Sequence, residues 1–309
     1  MKICVVCSGN FDTNRLDIFQ SAIYEQVSEI RNKIKKVDFF LIEGRGICGY
    51  LKNRNKLQKF IKKGNYDFIH AHYGLSGLLV SISTLKPFII TFHGSDINNP
   101  FQMFLSIFPS LFSKKNIFVS KRLKKKFPLG FLKKNIVLPC GVNREIFYPI
   151  SKNWARKNLN FKINRKIILF SSKFNNQVKN ILLARKAINL LKYDLLFIEI
   201  RDFSRKKVSL MLNAADVLVL TSFSEGSPQI IKEAMACNCP IVSVDVGDVR
   251  TQINNAHNCF VVKRDPKIIS EKLNFVLSKN LRSNGNDLID KYDVKIISQK
   301  LEKVYSSLV

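Results

Sequence analysis

Acidic residues are scarce in this 309-residue chain: 23 Asp and Glu stand against 51 Lys and Arg, which gives a formal net charge of +28. No apolar run approaches the roughly 20 residues of a membrane-spanning helix, so an integral membrane protein is not predicted. The basic excess predicts an anionic partner: nucleic acid, an acidic membrane surface or a phosphorylated substrate. Hydrophobic residues make up 46% of the chain, which predicts a packed core rather than disorder.

The sequence also lacks the paired cysteine motifs of a four-ligand metal site. Its seven cysteines are odd in number and lie mostly in apolar runs, as is typical of reduced thiols in a cytosolic protein. Cys4 and Cys7 have a metal-like spacing, but they fall in a predicted strand and no second such pair follows. Buried thiols are therefore favoured. The chain starts directly with that strand, so no signal peptide is predicted and a cytoplasmic location is expected.

Strands and helices alternate along the chain with short loops between them. In the first half, buried strands are predicted at 2–7, 37–42, 67–71 and 87–92, and the first helix at about 17–33. This alternation predicts an α/β protein with parallel, doubly wound sheets. Ligands of such sheets lie at the carboxyl ends of the strands.

The length of the chain suits two α/β domains of ordinary size. A polar, basic segment at 151–164 is predicted to be a linker. We therefore expect a first Rossmann-like domain at 1–150 and a second at 151–293, followed by an amphipathic helix at 294–309.

One stretch of the second half has the composition of a phosphate site. The apolar run 216–221 predicts a strand, and a loop with Glu225 and Gly226 follows it. Ser227 is a good N-cap and Pro228 a good first helical residue, so a helix is predicted to begin there. The start of a helix offers unpaired N–H groups and the positive end of a dipole, which suit a phosphate.

Two carboxylates bracket this stretch, Glu225 in the loop and Glu233 on the predicted helix. Each can accept hydrogen bonds from neighbouring hydroxyls, as in a ribose or a hexose. An anion site with two diol acceptors is what a nucleotide-diphospho-sugar needs. A capped helix that carries ordinary solvated glutamates fits the same residues equally well.

The stretch from Glu225 to the run 233–237, with Gly226 and Pro228 in place, resembles the E-x7-E signature of retaining glycosyltransferases. The closest family is glycosyltransferase family 4, the group 1 transferases of bacterial surface polysaccharides. This resemblance implies the GT-B fold, in which two Rossmann-like domains face each other across a cleft. It also implies that the final helix, 294–309, crosses back to the first domain.

Loops of the first half extend the resemblance. The stretches 70–74 (His-Ala-His-Tyr-Gly) and 91–96 (Thr-Phe-His-Gly-Ser-Asp) are similar to amino-terminal segments of family 4. The likeness implies that His93 lies near the transferred sugar and its β-phosphate, where a neutral imidazole can accept a hydroxyl proton or donate to phosphate. His70 and His72 are expected on opposite faces of their strand, with His72 toward the cleft and His70 structural.

Donor-binding positions also follow from the resemblance. Family 4 carries an Arg and, six residues later, a Lys that clamp the donor diphosphate, and Lys173 and Lys179 match these positions. Lysine in place of arginine keeps the charge but loses the bidentate geometry. Two cations beside a leaving diphosphate would stabilise its developing charge. After the first strand the family usually has paired glycines; here Gly9 alone is the candidate for a close approach of the backbone to the donor.

The implied reaction is retaining transfer from a nucleotide-diphospho-sugar, most commonly a UDP-sugar, to a glycan or a lipid-linked saccharide. Glu233 would hold the ribose, Glu225 the donated sugar, and Lys179, Lys173 and the helix start near Ser227 the diphosphate. No cofactor and no metal are expected, because lysines and backbone dipoles meet the charge and the chain has no Asp-x-Asp pair. In a front-face mechanism the departing phosphate oxygen takes the proton of the acceptor, so Glu225 places the donor and is not a nucleophile.

Basic residues cluster at 114–134, inside a stretch, 97–144, that has no acidic residue. Leu123, Phe127 and Phe131 lie among them. This mixture suits an anionic membrane surface, at about 1 kcal/mol per basic residue; a solvated basic face and RNA binding are the alternatives. The membrane is favoured because family 4 enzymes often dock their amino-terminal domain on the membrane that holds the acceptor. A peripheral position on the inner face of the plasma membrane is therefore expected.

Two other classes of protein stay open. A UDP-sugar 2-epimerase of the GT-B fold would release an epimerised sugar without any acceptor, but the E-x7-E spacing and the basic pair favour transfer. A nucleic-acid-binding protein, suggested by the charge of +28, would bind with a steep salt dependence and would be indifferent to Glu233→Ala. No nucleic-acid partner is expected.

Overall fold

The computed structural model describes residues 1–10, 20–31 and 34–308. The chain forms two compact units, one of Met1–Gly141 with Val294–Val309 and the other of Val142–Asp293. The segment predicted as a linker, 151–164, lies inside the second unit and contains a helix. Of the helix predicted at 17–33, several residues lie outside the described ranges.

The first unit is built on one parallel sheet. Its strands are β1 (Lys2–Ser8), β2 (Lys36–Ile42), β3 (Phe68–His72), β4 (Phe88–Phe92), β5 (Lys115–Phe118) and β6 (Asn135–Val137). They pair in the order β2-β1-β3-β4-β5-β6. Its helices are α1 (Ser21–Ile30), α2 (Gly46–Leu51), α3 (Arg54–Gly64), α4 (Gly74–Ser83), α5 (Ser95–Asn98), α6 (Pro100–Phe112), α7 (Lys121–Lys126) and α14 (Val294–Ser306).

Both faces of this sheet are buried. Successive side chains of a strand point to opposite faces, so Cys4 and Val6 of β1 enter one apolar core and Ile3, Val5 and Cys7 the other. A strand that is covered on both sides by helices needs a continuous apolar run, which β1 has.

The final helix, α14, belongs to the first unit. Its buried residues Ile297, Leu301 and Tyr305 recur every fourth position, so they form one stripe. This stripe packs in the same core as Ile3 and Val5 of β1. The first unit therefore takes part of its core from a segment that follows the second unit in the chain.

The second unit contains a parallel sheet of five strands. They are β7 (Lys166–Phe170), β8 (Leu195–Glu199), β9 (Val217–Leu220), β10 (Ile241–Val244) and β11 (Cys259–Val262), and they pair in the order β11-β10-β9-β7-β8. The helices are α8 (Lys152–Asn158), α9 (Ile181–Ile188), α10 (Arg205–Ala214), α11 (Gln229–Ala236), α12 (Val249–Gln252) and α13 (Pro266–Lys279). The predicted α/β class with doubly wound parallel sheets is confirmed.

Each sheet has a point where the direction of winding reverses. In the first sheet it lies between β1 and β3, and in the second between β7 and β9. Ligands of open α/β sheets bind at the carboxyl ends of the strands at such points. The loops that follow β1, β7 and β9 hold Gly9, Lys179 and Glu225, whereas His93 follows β4. None of the helices within the described ranges is both long enough and apolar enough to cross a membrane.

Candidate functional site

The loops after β7 and β9 bring Lys179 and Glu225 together. Lys179 ends a short 3-10 turn, and its Nζ lies 2.5 Å from Oε1 of Glu225. The same oxygen accepts a hydrogen bond of 2.7 Å from the hydroxyl of Ser222. Both charged side chains are largely buried, with 19% and 12% of their surface exposed. A cation and a carboxylate are thus held side by side at the winding reversal of the second sheet.

Backbone contacts keep these two loops together. The hydroxyl of Thr221 donates to the carbonyl oxygens of Lys179 and Asn180, each at 3.0 Å. The N–H of Phe223 donates to the carbonyl oxygen of Val178 at 2.8 Å. The positions of Lys179 and Glu225 are therefore set by the main chain as well as by their own ion pair. Nothing in the sequence marks Thr221, because a threonine at the end of a strand carries no particular signal.

Glu233 is buried on α11 and has a cationic partner that the sequence analysis missed. Arg205, the first residue of α10, places Nη2 2.7 Å from Oε1 of Glu233. The guanidinium of Arg205 also lies over the ring of Phe147, 4.6 Å from its centroid. Arg205 belongs to an Arg-Lys-Lys run in a lysine-rich chain, so nothing in the sequence distinguishes it from a surface cation.

Ser227 does not cap the helix, so the predicted cap is wrong. Pro228 occupies the N-cap position and α11 begins one residue later. The hydroxyl of Ser227 donates to Oδ2 of Asp248 at 3.0 Å and accepts from Nε2 of Gln252 at 3.1 Å. The hydroxyl is thus engaged by the carboxylate and the amide of the neighbouring loop, and it does not accept from the N–H groups at the start of the helix. Ser227 thereby ties the Glu225 loop to the loop after β10.

The loop after β10 packs closely against Gly226, and the residue at the contact is a glycine, Gly247. Gly247 has φ +57°, and a Cβ added to it would lie 3.0 Å from the carbonyl oxygen of Gly226 and 3.1 Å from Cβ of Glu225. A side chain at this position would be strained and crowded at once. The two loops pack this closely because a glycine stands between them.

Lys173 pairs with a different carboxylate, that of Asp202. Its Nζ contacts Oδ2 of Asp202 at 2.6 Å, and 44% of the lysine side chain is exposed. The role given to it by the resemblance, a second cation on the diphosphate, stays a prediction. The roles that the resemblance gives to the other predicted site residues also stay predictions.

In the first unit, His93 follows β4 and stands in a cluster of rings. Its Nε2 lies 2.9 Å from Nδ1 of His72, and its Nδ1 lies 4.0 Å from Sγ of Cys140. The ring of Tyr73 is 4.5 Å away, centroid to centroid. Asp96 holds the loop that carries His93: its carboxylate accepts from the backbone N–H groups of His93, at 3.3 Å, and of Gly94, at 2.8 Å.

His70 and His72 share one face of β3, so the expectation of opposite faces is wrong. Residues two apart in a strand point the same way, and the two ring centroids are 4.2 Å apart. His70 is satisfied on both nitrogens, by the hydroxyls of Tyr305 at 2.6 Å and Thr91 at 2.7 Å. Burial lowers the pKa of His70 to about 3 and the pKa of His72 well below its usual value, so both rings are neutral at pH 7.

Gly9 approaches a neighbouring strand rather than open space. Its N–H donates to the carbonyl oxygen of Ile42 at 2.8 Å, and an added Cβ would lie 2.6 Å from Cβ of Leu41. A glycine is therefore required there by packing within the first unit. Beside it, at the carboxyl ends of β1 and β3, lies a cavity of about 390 Å³ whose lining includes Ser8 and Tyr73.

The two cysteines with a metal-like spacing lie in the core of the first unit. Cys4 and Cys7 are fully buried in β1, and burial raises the pKa of the Cys7 thiol to about 12. Within the described ranges, no three His, Cys, Asp or Glu side chains are grouped so that they could hold a metal ion. The expectation of a metal-free reaction stays a prediction.

Two family models match the sequence. Glycosyltransferase Family 4 matches residues 16–146, and Glycosyl transferases group 1 matches residues 198–292. An uncharacterised glycosyltransferase of Methanocaldococcus jannaschii is 29% identical, over 92% of this chain and 88% of its own. The UDP-Gal:alpha-D-GlcNAc-diphosphoundecaprenol alpha-1,3-galactosyltransferase of Escherichia coli is 23% identical, over 78% and 77%.

Solved structures are similar over the whole chain. Sucrose-phosphate synthase from Thermosynechococcus elongatus aligns with a TM-score of 0.85 at 16% identity, over 99% of this chain and 98% of its own. HepE from Anabaena in complex with UDP and glucose aligns with a TM-score of 0.78 at 14% identity, over 99% and 100%. At such identities the likeness concerns the fold.

Proposed function

Because this chain belongs to the group 1 glycosyltransferases of family 4 and has the GT-B fold, we propose that it transfers a sugar from a nucleotide-diphospho-sugar to a saccharide of the cell surface. The observation that carries the proposal is the Lys179–Glu225 pair at the winding reversal of the second sheet. A UDP-sugar is the proposed donor, supported by the UDP complex of HepE. Both matched models describe transferases, which leaves the epimerase and nucleic-acid alternatives without support.

The nucleotide-sugar is proposed to contact both members of the Lys179–Glu225 pair, Lys179 with its diphosphate and Glu225 with its sugar. Lys179 is proposed to bind the diphosphate, because its ammonium offers three donors to phosphate oxygens. Glu225 then accepts hydrogen bonds from hydroxyls of the transferred sugar. Until a donor arrives, each of these largely buried groups neutralises the other, which avoids an unpaired buried charge.

Glu233 is proposed to bind the ribose. Arg205 contacts Oε1 of its carboxylate at 2.7 Å, and a carboxylate has about four lone-pair sites on two oxygens. Capacity for ribose hydroxyls therefore remains while Arg205 holds the carboxylate in place. The Phe147 ring beneath the guanidinium holds Arg205 in turn.

Transfer is proposed to proceed with retention at the anomeric carbon and without a protein nucleophile. As the bond to the β-phosphate breaks, negative charge grows on the leaving oxygen, and Lys179 stabilises it most at that moment. The same oxygen takes the proton of the acceptor hydroxyl on the same face of the sugar. Glu225 and Glu233 contribute by holding the donor in the reactive geometry.

A lipid-linked saccharide is the proposed acceptor, and the name of the Escherichia coli relative supports it with its diphosphoundecaprenol substrate. The basic segment 114–134 is proposed to hold the enzyme to the anionic inner face of the plasma membrane. Each basic residue near such a surface contributes about 1 kcal/mol. The products would be polysaccharides of the capsule or lipopolysaccharide kind.

The donor site can be tested by thermal unfolding with UDP, GDP, ADP, CMP and a short single-stranded DNA. A ligand at 100 times its Kd adds about 2.7 kcal/mol to the free energy of unfolding. We expect UDP to raise the Tm of the wild type and to leave that of Glu233→Ala unchanged. Each variant is compared with its own ligand-free Tm, and Glu271→Ala, a carboxylate outside the site, serves as the control.

Stabilisation by DNA alone, lost at high salt and indifferent to Glu233, would contradict the proposal. Stabilisation by another nucleoside diphosphate, with the same dependence on Glu233, would keep the site and change the base. A UDP effect that survives in Glu233→Ala would remove Glu233 from the site.

A further inference from the structure

Helix α6 carries its aromatic residues on the outside. Its most exposed large apolar side chains, between 48% and 71% exposed, are Phe101, Phe104, Phe108, Leu111 and Phe112. Its buried residues are Ser106, Pro109 and Ser110. Met103 and Ile107 pack against the core, but the four phenylalanines of the helix face outward. A helix at the surface of a globular protein usually turns its large apolar side chains inward.

The inverted arrangement is built into the packing of the first unit. Ser106 lies against Gly74 of α4, where an added Cβ would stand 1.8 Å from the serine hydroxyl oxygen. Only small residues permit this approach. The hydroxyls of Ser106 and Ser110 donate to carbonyl oxygens of their own helix, those of Gln102 at 2.7 Å and Ile107 at 2.6 Å, so their burial leaves no donor unpaired.

The exposed residues form a single stripe. At about 100° per residue, the five positions fall within an arc of about 100°, and the rings of Phe108 and Phe112 are 5.0 Å apart, centroid to centroid. Exposed apolar residues scattered singly are ordinary, whereas a contiguous stripe of this kind marks an interaction surface.

Lysines stand at both ends of the stripe. Nζ of Lys126 lies 3.0 Å from Oδ1 of Asn98, just before α6, and Nζ of Lys134 donates to the carbonyl oxygen of Leu111 at 2.7 Å. The segment 114–134 therefore brackets the helix, and it adds the 79% exposed Phe131. No acidic residue occurs between 97 and 144. A second copy of this surface would meet it with charge of the same sign, which disfavours a dimer.

We propose that α6 lies in the surface of an anionic lipid bilayer, with its aromatic stripe among the acyl chains and the lysines of 114–134 at the headgroups. Charge alone would hold the protein outside the headgroups, whereas α6 enters the layer beneath them. The inference extends the proposed membrane attachment but does not depend on transferase activity, because binding can be measured without any substrate.

The single tryptophan of the chain makes insertion directly measurable. Trp154, in the second unit, is replaced by phenylalanine and Phe104→Trp places the reporter in the stripe. With vesicles of phosphatidylcholine and phosphatidylglycerol we expect a blue shift of the emission and quenching by brominated acyl chains. Vesicles of phosphatidylcholine alone are expected to give neither. An unshifted, unquenched emission from vesicle-bound protein would overturn the insertion of α6.

Matched variants separate the stripe from general surface hydrophobicity. Phe104→Ser with Phe108→Ser is expected to weaken partition to the anionic vesicles by about tenfold or more, since two aromatic side chains are lost. Leu182→Ser with Leu190→Ser, two residues of the second unit at 66% and 52% exposure, should leave it unchanged. Equal effects of both pairs, or a wild-type dimer that the phenylalanine pair dissociates, would overturn the proposal.

A second, independent observation concerns the proton on His93. His72 Nδ1 and His93 Nε2 are 2.9 Å apart, so one of these nitrogens donates and the other accepts. The other nitrogen of His72, Nε2, is buried and has no hydrogen-bond partner within the described ranges. A buried N–H without a partner is rarer and more costly than a bare acceptor.

We infer that His72 is a positioning residue that sets the tautomer of His93. With its own proton on Nδ1, His72 donates to Nε2 of His93 and keeps a bare, buried Nε2. The neutral His93 then carries its proton on Nδ1, the nitrogen that faces Cys140 at 4.0 Å. His93 is thereby a donor at Nδ1 and has no lone pair left at Nε2 for a substrate, which deepens its role in the proposed function.

Long-range ¹H–¹⁵N correlation spectra of protein labelled on histidine test this inference without substrate. The chain has four histidines, so His70→Gln and His257→Gln assign the signals. We expect the Nδ1–H tautomer for His93 in the wild type and a shift toward Nε2–H in His72→Phe. A wild-type His93 with its proton on Nε2 overturns the inference, whether or not the variant folds and whether or not the protein transfers sugar.

Discussion

Replacement of Lys179 by alanine is expected to lower kcat for sugar transfer by about 100- to 1,000-fold, the range found when one donor to a developing oxyanion is removed. Lys179 is largely buried and is held by Glu225 at 2.5 Å and by the loop contacts of Thr221. Its charge therefore acts from a fixed position with little solvent screening. Steady-state rates with saturating donor measure the effect.

Lys173→Ala is the matched control for this prediction. Lys173 lies on the same loop, but it is about half exposed and is paired with Asp202. We expect a loss of kcat of less than about tenfold, because an exposed ion pair contributes little. If the two variants lost activity equally, the assignment of Lys179 as the main cation on the leaving diphosphate would be wrong.

The largest loss of stability is expected from Asp216→Ala, about 3–5 kcal/mol in the free energy of unfolding. Asp216 is 2% exposed; it accepts from the backbone N–H of Ile167 at 2.6 Å, pairs with Nη2 of Arg156 at 2.8 Å and contacts Lys152. Arg156 is itself 3% exposed. The substitution leaves the buried guanidinium of Arg156 without its counter-ion, and within the described ranges only the bond from its Nε to the carbonyl oxygen of Ala214 still joins this side chain to the segment before β9.

Unfolding in urea, followed by circular dichroism, measures this loss. Asp194→Ala removes a carboxylate that pairs with Arg165 at 3.0 Å but is 80% exposed, and it is expected to cost less than about 1 kcal/mol. A small effect of Asp216→Ala, comparable to that of the control, would mean that water or another group compensates the buried Arg156.

The strand pattern of the sequence predicted both parallel sheets because their buried strands are continuous apolar runs. The position of the site loops was predictable for the same reason, because the carboxyl ends of β7 and β9 lie side by side at the point where the direction of winding reverses. Side-chain partners were harder to predict. Arg205 is one cation among many in the sequence. Its contact with Glu233 joins two helices, and the two residues are 28 positions apart in the chain, so only the fold shows the pairing.

Two local errors have physical causes. Serine is a preferred N-cap residue, but the hydroxyl of Ser227 is engaged by Asp248 and Gln252 instead. His70 and His72 were assigned to opposite faces although strand geometry puts them on one. The exposed stripe of α6 was not predicted at all, because an apolar run indicates a buried segment unless the small residues within it are known to face the core.

The place of α14 in the first unit has a consequence for biosynthesis. The second unit, Val142–Asp293, is one continuous stretch and has all its residues before α14 leaves the ribosome. The first unit cannot complete its core until Ile297, Leu301 and Tyr305 have emerged. The first unit thus departs from the usual pattern in which the amino-terminal domain can complete its fold first during synthesis, because part of its core is synthesised after the whole second unit.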